Sequence, residues 1–190
     1  MSNSHLSREL LLNLLVRLAY KEGDFLLSSG QRSPYYINGK QVTLTALGAQ
    51  AVGQLILALL PEDTQAVAGL TLGADPMVTA VSVVSAYENR PISALIVRKE
   101  AKGHGTAAYI EGPTLPPGAK VVVLEDVVTT GQSALQAVKR LEDAGYQVGE
   151  IIAIVDREQG GEQLYQSQNL KFQSLFSIRD LQAQYAKINP

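Results

Sequence analysis

The chain contains no cysteine, which excludes disulfides, thiolate chemistry and cysteine-ligated zinc. Its two histidines, His5 and His104, leave too little for an all-protein metal site, so any metal has to arrive with a substrate. There is no run of about 18 apolar residues to span a bilayer. The opening MSNSHLSREL places polar and acidic residues where a secretion signal needs a basic flank and an apolar stretch. A cytoplasmic protein is therefore expected. A basic surplus is also missing: the formal charge is −2, whereas nucleic-acid binders carry a basic face or excess. Neither nucleic acid nor membrane is expected as a partner. Internal repeats and low-complexity segments are absent as well. What is present is 190 residues, 46% hydrophobic and 18% charged, a length suited to one domain with a substantial core.

The first apolar pattern is helical. Leu6, Leu10, Leu11, Leu14, Leu15 and Leu18 predict a packing helix from Ser7 to about Lys21, stopped by Gly23. Phe25–Leu27 and Tyr35–Asn38 read as short strands around the turn Ser28-Ser29-Gly30, a hairpin appended to the main sheet. From Thr45 helices and strands alternate. Helices are predicted over Thr45–Leu60, Asp75–Tyr87, Gly131–Ala144, Glu162–Gln168 and from Ile178 onward. Strands are predicted over Ala66–Leu70, Ile92–Val97, Lys120–Glu125, Val148–Val155 and Lys171–Leu175. Runs such as Val121-Val122-Val123-Leu124 are apolar on both faces, as strands covered on both sides require. The expected fold is α/β, a mostly parallel twisted sheet flanked by helices. About twenty residues after Val97, RKEAKGHGTAAYIEGPTLPPG, show neither period, and long loops of that kind are commonly functional.

In VVVLEDVVTTGQSA an apolar strand ends in Glu125 and Asp126, turns, and opens a helix at Gly131. Backbone amides from Val127 and Val128 through Gln132 to Ser133 would point at a ligand, and a helix N-terminus favours an anion. Thr129, Thr130 and Ser133 add hydroxyl donors, while Gly131 permits close backbone approach. Two acids beside a phosphate cradle make sense if they accept hydrogen bonds from the hydroxyls of a ribose. The competing reading is a buried strand and a capped helix with adventitious charge. The whole string resembles the phosphoribosyl diphosphate signature of type I phosphoribosyltransferases.

RKEAKGHG adds Arg98, Lys99, Lys102 and His104 on a glycine-rich segment, charges suited to gripping and releasing a polyanion. Together with FLLSSGQRSPYYI, GLTLGADP and VDRE, it resembles the orotate phosphoribosyltransferase family over roughly residues 7 to 180. That resemblance implies conversion of orotate and 5-phosphoribosyl diphosphate to orotidine 5'-phosphate and pyrophosphate, a step toward UMP, with magnesium and a homodimer. It implies the type I fold as a single domain over 1–190, with a small hood at 1–45 plus the C-terminal segment and a core at about 46–160. Residues 125 to 133 would hold the ribose 5-phosphate. Arg98, Lys99, Lys102 and His104 would belong to a mobile catalytic loop, 98–112, that reaches the partner subunit's site and binds pyrophosphate. Thr129 and Arg157 match orotate contacts, and Tyr35 and Tyr36 match the aromatic pair flanking the base.

The residues themselves leave two of these assignments open. Arg157 would offer a guanidinium fork to a planar carboxylate, or a salt bridge to Asp156 or Glu158. Tyr35 and Tyr36 alternate faces on a strand, so one of them belongs to the core. Lys40 could touch phosphate, although a surface role is the simpler expectation.

By the same resemblance the reaction is a substitution at the anomeric carbon with oxocarbenium character and no protein nucleophile. Lys102, His104, Arg98, Lys99 and magnesium would stabilise the departing charge. Magnesium would ride on the diphosphate and ribose hydroxyls, with Asp126 meeting it through water. Lys102, His104 and Asp126 are the expected catalytic residues. Many members carry Tyr-Lys where this chain has Leu72-Gly73, a lysine where it has Ser28, and Asp where it has Glu125. A subset of the family uses the Ser-Ser-Gly and Leu-Gly-Ala-Asp version, which points to a subtype. Three rivals fare worse. Gly103 to Ala108 fits a dinucleotide pattern, but it lies some six residues past its strand, and Tyr109, Gly112 and Pro113 stop any helix after it. A nucleic-acid-binding regulator would want a basic face. A purine enzyme is opposed by RKEAKGHG and Arg157.

Overall fold

The computed structural model describes residues 3–26, 32–101 and 109–189. Helix α1 (Asn3–Leu14) continues into a π turn, Leu15–Ala19, and the chain then becomes extended at Tyr20 to begin strand β1 (Tyr20–Leu26). The helix therefore stops before Gly23, which lies in β1 at an irregularity of its pairing with β2 (Arg32–Ile37). Packing of the Tyr20 ring on Tyr35 and Tyr185, with centroids 5.9 and 5.2 Å apart, is the reason. The expected turn at Ser28-Ser29-Gly30 falls outside the described residues.

After the hairpin come α2 (Lys40–Thr43), α3 (Ala46–Leu59), β3 (Ala66–Leu70), α4 (Asp75–Tyr87), β4 (Ser93–Val97), β5 (Ile110–Glu111) and β6 (Lys120–Val128). Then follow α5 (Gln132–Asp143), β7 (Gln147–Asp156), α6 (Gly161–Ser167), β8 (Lys171–Ser177) and α7 (Ile178–Ile188). Thr45 caps α3 by accepting from the Gly48 amide, and Ser177 with Asp180 forms a reciprocal capping box on α7.

The main sheet has the order β5-β4-β3-β6-β7-β8 and is parallel except for the β4–β5 pair. Alternation along the strands builds two cores. Val122, Leu124, Ile152 and Ile154 pack with α1, α3, α4 and α7, while Val121, Val123, Ile151 and Ala153 pack with α5 and α6. The segment after Val97 is less irregular than its sequence suggests, because β5 returns antiparallel along β4 and the Arg98 amide donates to the Tyr109 carbonyl at 2.7 Å.

The strand order reverses beside β3: the chain moves from β3 outward to β4, then crosses back to place β6 on the other side. Ligands of open α/β sheets bind at the carboxyl ends of strands at such a switch point. Here those ends carry GLTLGADP after β3 and the acid pair with its turn on β6.

The β3–α4 corner is closed tightly. A Cβ on Gly69 would fall 2.2 Å from the Ala74 Cβ and 2.5 Å from the Leu124 carbonyl oxygen. Gly69→Ala is therefore expected to destabilise the fold by roughly 1–3 kcal/mol in urea denaturation. Gly149→Ala, whose Cβ meets nothing within 4 Å, should stay within about 0.5 kcal/mol of the parent.

Candidate active site

Strand β6 runs on to Val128, so Glu125 and Asp126 lie within its last residues and not at its end. Asp126 is pinned from two sides. A Cβ on Gly73 would come 2.6 Å from its Oδ1, and one on Gly39 would come 3.0 Å from its Oδ2. The Val127 amide donates to Oδ1 at 3.0 Å. A side chain at position 73 would displace the Asp126 carboxylate and one at position 39 would crowd it, which ties GLTLGADP and the chain entering α2 to the same group.

Glu125 is 8% exposed, and its Oε2 is buried without a hydrogen-bond partner among the described residues. Burial, reinforced by the neighbouring Asp126 charge, pushes its carboxyl up to about 8, and Lys99 opposes the shift. Near neutral pH the Glu125 carboxyl therefore holds its proton. The Lys99 effect also locates the start of RKEAKGHG beside the acids.

Beyond Val128 the chain bends through Thr129 and Thr130, and Gly131 takes the left-handed conformation with φ 87°. Helix α5 starts at Gln132 with no side-chain cap, which leaves its first-turn amides to whatever sits above. A cavity of about 80 Å³ lies there, lined by Glu125, Val127 to Ser133 and Tyr165. The predicted cradle is thus assembled as one surface. Tyr165 was not anticipated, since an aromatic on a short amphipathic helix reads as plain core.

Arg157 follows β7, and its amide donates to the Val128 carbonyl at 2.9 Å, which places it against the cradle. Its guanidinium is buried, with Nη2 on Ser33 Oγ at 3.0 Å, Nε on the Tyr35 hydroxyl at 3.2 Å, and its carbon 4.6 Å from the Tyr35 ring centroid. The salt-bridge alternative is not what forms. Glu158 pairs with Arg179 at 2.7 Å, and Asp156 Oδ1 accepts from the Glu158 amide at 2.9 Å. Among the described residues no carboxylate neutralises Arg157. A buried cation without a counter-ion is costly, and an anionic ligand would repay that cost.

Tyr35 is the core member of the tyrosine pair, and Tyr36 is exposed on the other face against Phe25, 5.7 Å between centroids. Arg98 pairs with Glu111 at 3.1 Å and Lys99 is exposed. Arg140 on α5 clasps this corner: it donates to the Arg98 carbonyl and, at 2.9 Å, to that of Lys99, and it stacks on Tyr109 at 4.1 Å. Nothing in the sequence marked Arg140, because its partners lie some forty residues away. Lys102 and His104 lie outside the described residues. Lys40 is half-buried at the edge of a different, apolar groove.

Comparison with known proteins gives a consistent picture. No family model matches the chain. It is 72% identical over 181 residues to an orotate phosphoribosyltransferase from Nostoc sp., covering 95% of this chain and 88% of that one. The crystal structure of Mycobacterium tuberculosis orotate phosphoribosyltransferase with Fe(III) dicitrate superposes with a TM-score of 0.82 at 38% identity, covering 92% of this chain and 98% of that one. The same enzyme in complex with 5-phospho-α-D-ribosyl 1-diphosphate gives a TM-score of 0.77 at 35% identity, with coverage of 92% and 98%.

A carboxyl whose pKa is raised in the folded state binds its proton more tightly folded than unfolded, so it destabilises the fold as pH rises through the window between the two values. For Glu125 that window runs from the ordinary 4.5 to about 8, and each unit is worth about 1.4 kcal/mol. Glu125→Gln removes the titration. The melting temperature of the ligand-free variant, relative to the parent, is expected to climb from pH 5 to pH 8.5 in scanning fluorimetry. A difference that is flat across that range would contradict the buried, protonated carboxyl.

Proposed function

The chain belongs to the orotate phosphoribosyltransferase family, and we propose how its residues share that family's reaction, transfer of the 5-phosphoribosyl group from 5-phosphoribosyl diphosphate to orotate in UMP biosynthesis. The observation that carries the assignment is Arg157, a buried guanidinium with no counter-ion among the described residues, set beside a phosphate cradle at the sheet's switch point. Orotate brings a planar carboxylate that a guanidinium fork can accept.

In this reading the amides and hydroxyls of Thr129 to Ser133 receive the 5-phosphate, while Glu125 and Asp126 accept from the ribose hydroxyls. Arg157 and Thr129 hold orotate; Tyr35 orients Arg157 and walls the base pocket, while Tyr36 faces away toward Phe25. No side chain has to attack. The chain's contribution is to fix a ring nitrogen of orotate in line with the anomeric carbon and to stabilise the departing pyrophosphate. That second task falls to Arg98, Lys99, Lys102 and His104, and Arg98 would exchange Glu111 for the diphosphate.

Among the described residues no cluster of three or more His, Asp or Glu forms a metal cage. The donors that are present, Asp126 and the unpartnered Glu125 oxygen, fit magnesium, which commonly keeps waters and uses one or two carboxylates plus substrate phosphates. Bound there, it would neutralise charge on the diphosphate. Polar, charged substrates and the absence of cysteine favour the cytoplasm as the compartment.

A homodimer completes the reading. Leu44, Leu47, Leu72, Val83 and Tyr87, all exposed, line one groove of about 920 Å³ across α2, α3 and α4. Exposed apolar surface on that scale suits an interface. A second copy is the occupant that fits, because Leu72 belongs to the loop that also pins Asp126, so a partner seated here approaches the active site and can extend residues 98–112 into it.

Incubation with 5-phosphoribosyl diphosphate, magnesium and orotate should consume orotate absorbance, with adenine and uracil inert; turnover of either base in place of orotate would overturn the specificity. Lys102→Ala is expected to lower kcat far more than it weakens orotate binding, and unchanged turnover would remove the loop assignment. Leu47→Glu should shift the mass seen by light scattering from dimer to monomer. A variant that stays dimeric would place the interface elsewhere.

A further inference from the structure

Among the described residues Tyr165 is the largest fully buried side chain, and its ring packs against Phe172 at 5.1 Å between centroids. The polar edge of that ring faces the cradle. A Cβ on Gly131 would lie 2.9 Å from Tyr165 Cζ and 3.0 Å from its hydroxyl oxygen, so the phenol occupies the space that glycine leaves vacant at the start of α5. Among the described residues the hydroxyl has no hydrogen-bond partner, and neither has Oε2 of Glu125, which lines the same cavity. Two orphaned polar groups on the wall of one small cavity are the signature of a site finished by its ligand.

The two groups suit different parts of a sugar phosphate. Glu125 is an acid that suits ribose hydroxyls. Tyr165 is a donor, and burial with the nearby charges of Glu125 and Asp156 pushes its pKa upward, so it stays neutral and keeps its proton. Its place beneath Gly131, where the amides of the first helical turn converge, points the donor at an anion.

We propose that the Tyr165 hydroxyl is a binding group for the substrate's 5-phosphate, donating a hydrogen bond from beneath the cradle while the amides and Thr and Ser hydroxyls donate from its rim. This rests on the reading of residues 125 to 133 as a phosphoribosyl site and adds a residue of α6 to it. Sequence spacing could not place it there, since Tyr165 lies more than thirty residues from the motif.

The test is Tyr165→Phe, which keeps the ring and its packing. Melting temperatures are followed with ribose 5-phosphate, inorganic phosphate and ribose, and steady-state constants are measured alongside. Without ligand the variant should be at least as stable as the parent, because an unpartnered hydroxyl contributes nothing favourable. Ribose 5-phosphate and inorganic phosphate should bind about five- to tenfold more weakly, equivalent to about 1–1.4 kcal/mol, and ribose should show no difference. The KM for 5-phosphoribosyl diphosphate should rise by a similar factor, with a smaller effect on kcat and on the KM for orotate. Equal phosphate affinity in variant and parent would overturn the proposal, as would a destabilised ligand-free variant or a loss confined to ribose. Phosphate binding is read without orotate, so a parent enzyme that failed to turn over orotate would refute the function without deciding the role of Tyr165.

Discussion

Two adjacent carboxylates held inside the last residues of a central strand have to be compensated without losing access to a substrate. An unpaired buried charge costs several kcal/mol, and the chain meets that cost differently for each acid. Asp126 accepts a hydrogen bond from the Val127 amide and lies between Gly39 and Gly73. Glu125 holds a proton and leaves one oxygen without a partner among the described residues. The loop after β3 and the entry to α2 both place a glycine against Asp126, Gly73 and Gly39.

The opposite charge sits at the tip of the next strand. Arg157 donates to Ser33 and Tyr35, so the small hairpin that looks like an appendage is what holds the guanidinium in place. The acid-bearing end of β6 lies beside the buried guanidinium that follows β7, and no carboxylate among the described residues pairs with that guanidinium. A substrate pair that brings hydroxyls and phosphate to one tip and a carboxylate to the other satisfies both. Under the proposed function, binding would relieve unfavourable electrostatics of the free protein and so link its stability to its ligands. Arg140 extends the logic to residues 98–112: by clasping both carbonyls at the base and the Tyr109 ring, it holds Lys99 within electrostatic reach of Glu125.

What could be read from the sequence was local. β3 falls on the expected residues, and α4 does as well, because short apolar runs and amphipathic periods are set by neighbours in the chain. The cradle was legible for the same reason, its donors being consecutive. The misses have long-range causes. Tyr20 leaves the helix for rings at Tyr35 and Tyr185, and β5 exists only because β4 offers its edge. Arg140 and Tyr165 acquire their places from contacts thirty or more residues away. Arg157 was legible as a candidate, but whether it paired with its acidic neighbours depended on Ser33 and Tyr35, more than a hundred residues earlier.

The departures from the commoner family pattern acquire a physical meaning in this arrangement. Taken residue by residue, Gly73 in place of a lysine would take one positive charge away from the diphosphate of the proposed reaction. In the structure, position 73 is where any Cβ would collide with Asp126 Oδ1 at 2.6 Å. A lysine cannot be added there while Asp126 stays where it is, so Gly73 and the placement of Asp126 are one choice. Gly39 is bound to the same choice from the other side. The positive charge that position 73 lacks is therefore not recoverable locally. Under the proposed function it would come from outside the sheet: from Lys99, which already acts on Glu125, from Lys102 and His104, and from a cation carried in with the diphosphate. Under the proposed function, a site of this subtype would bind its polyanion through groups that arrive around the Asp126 carboxylate.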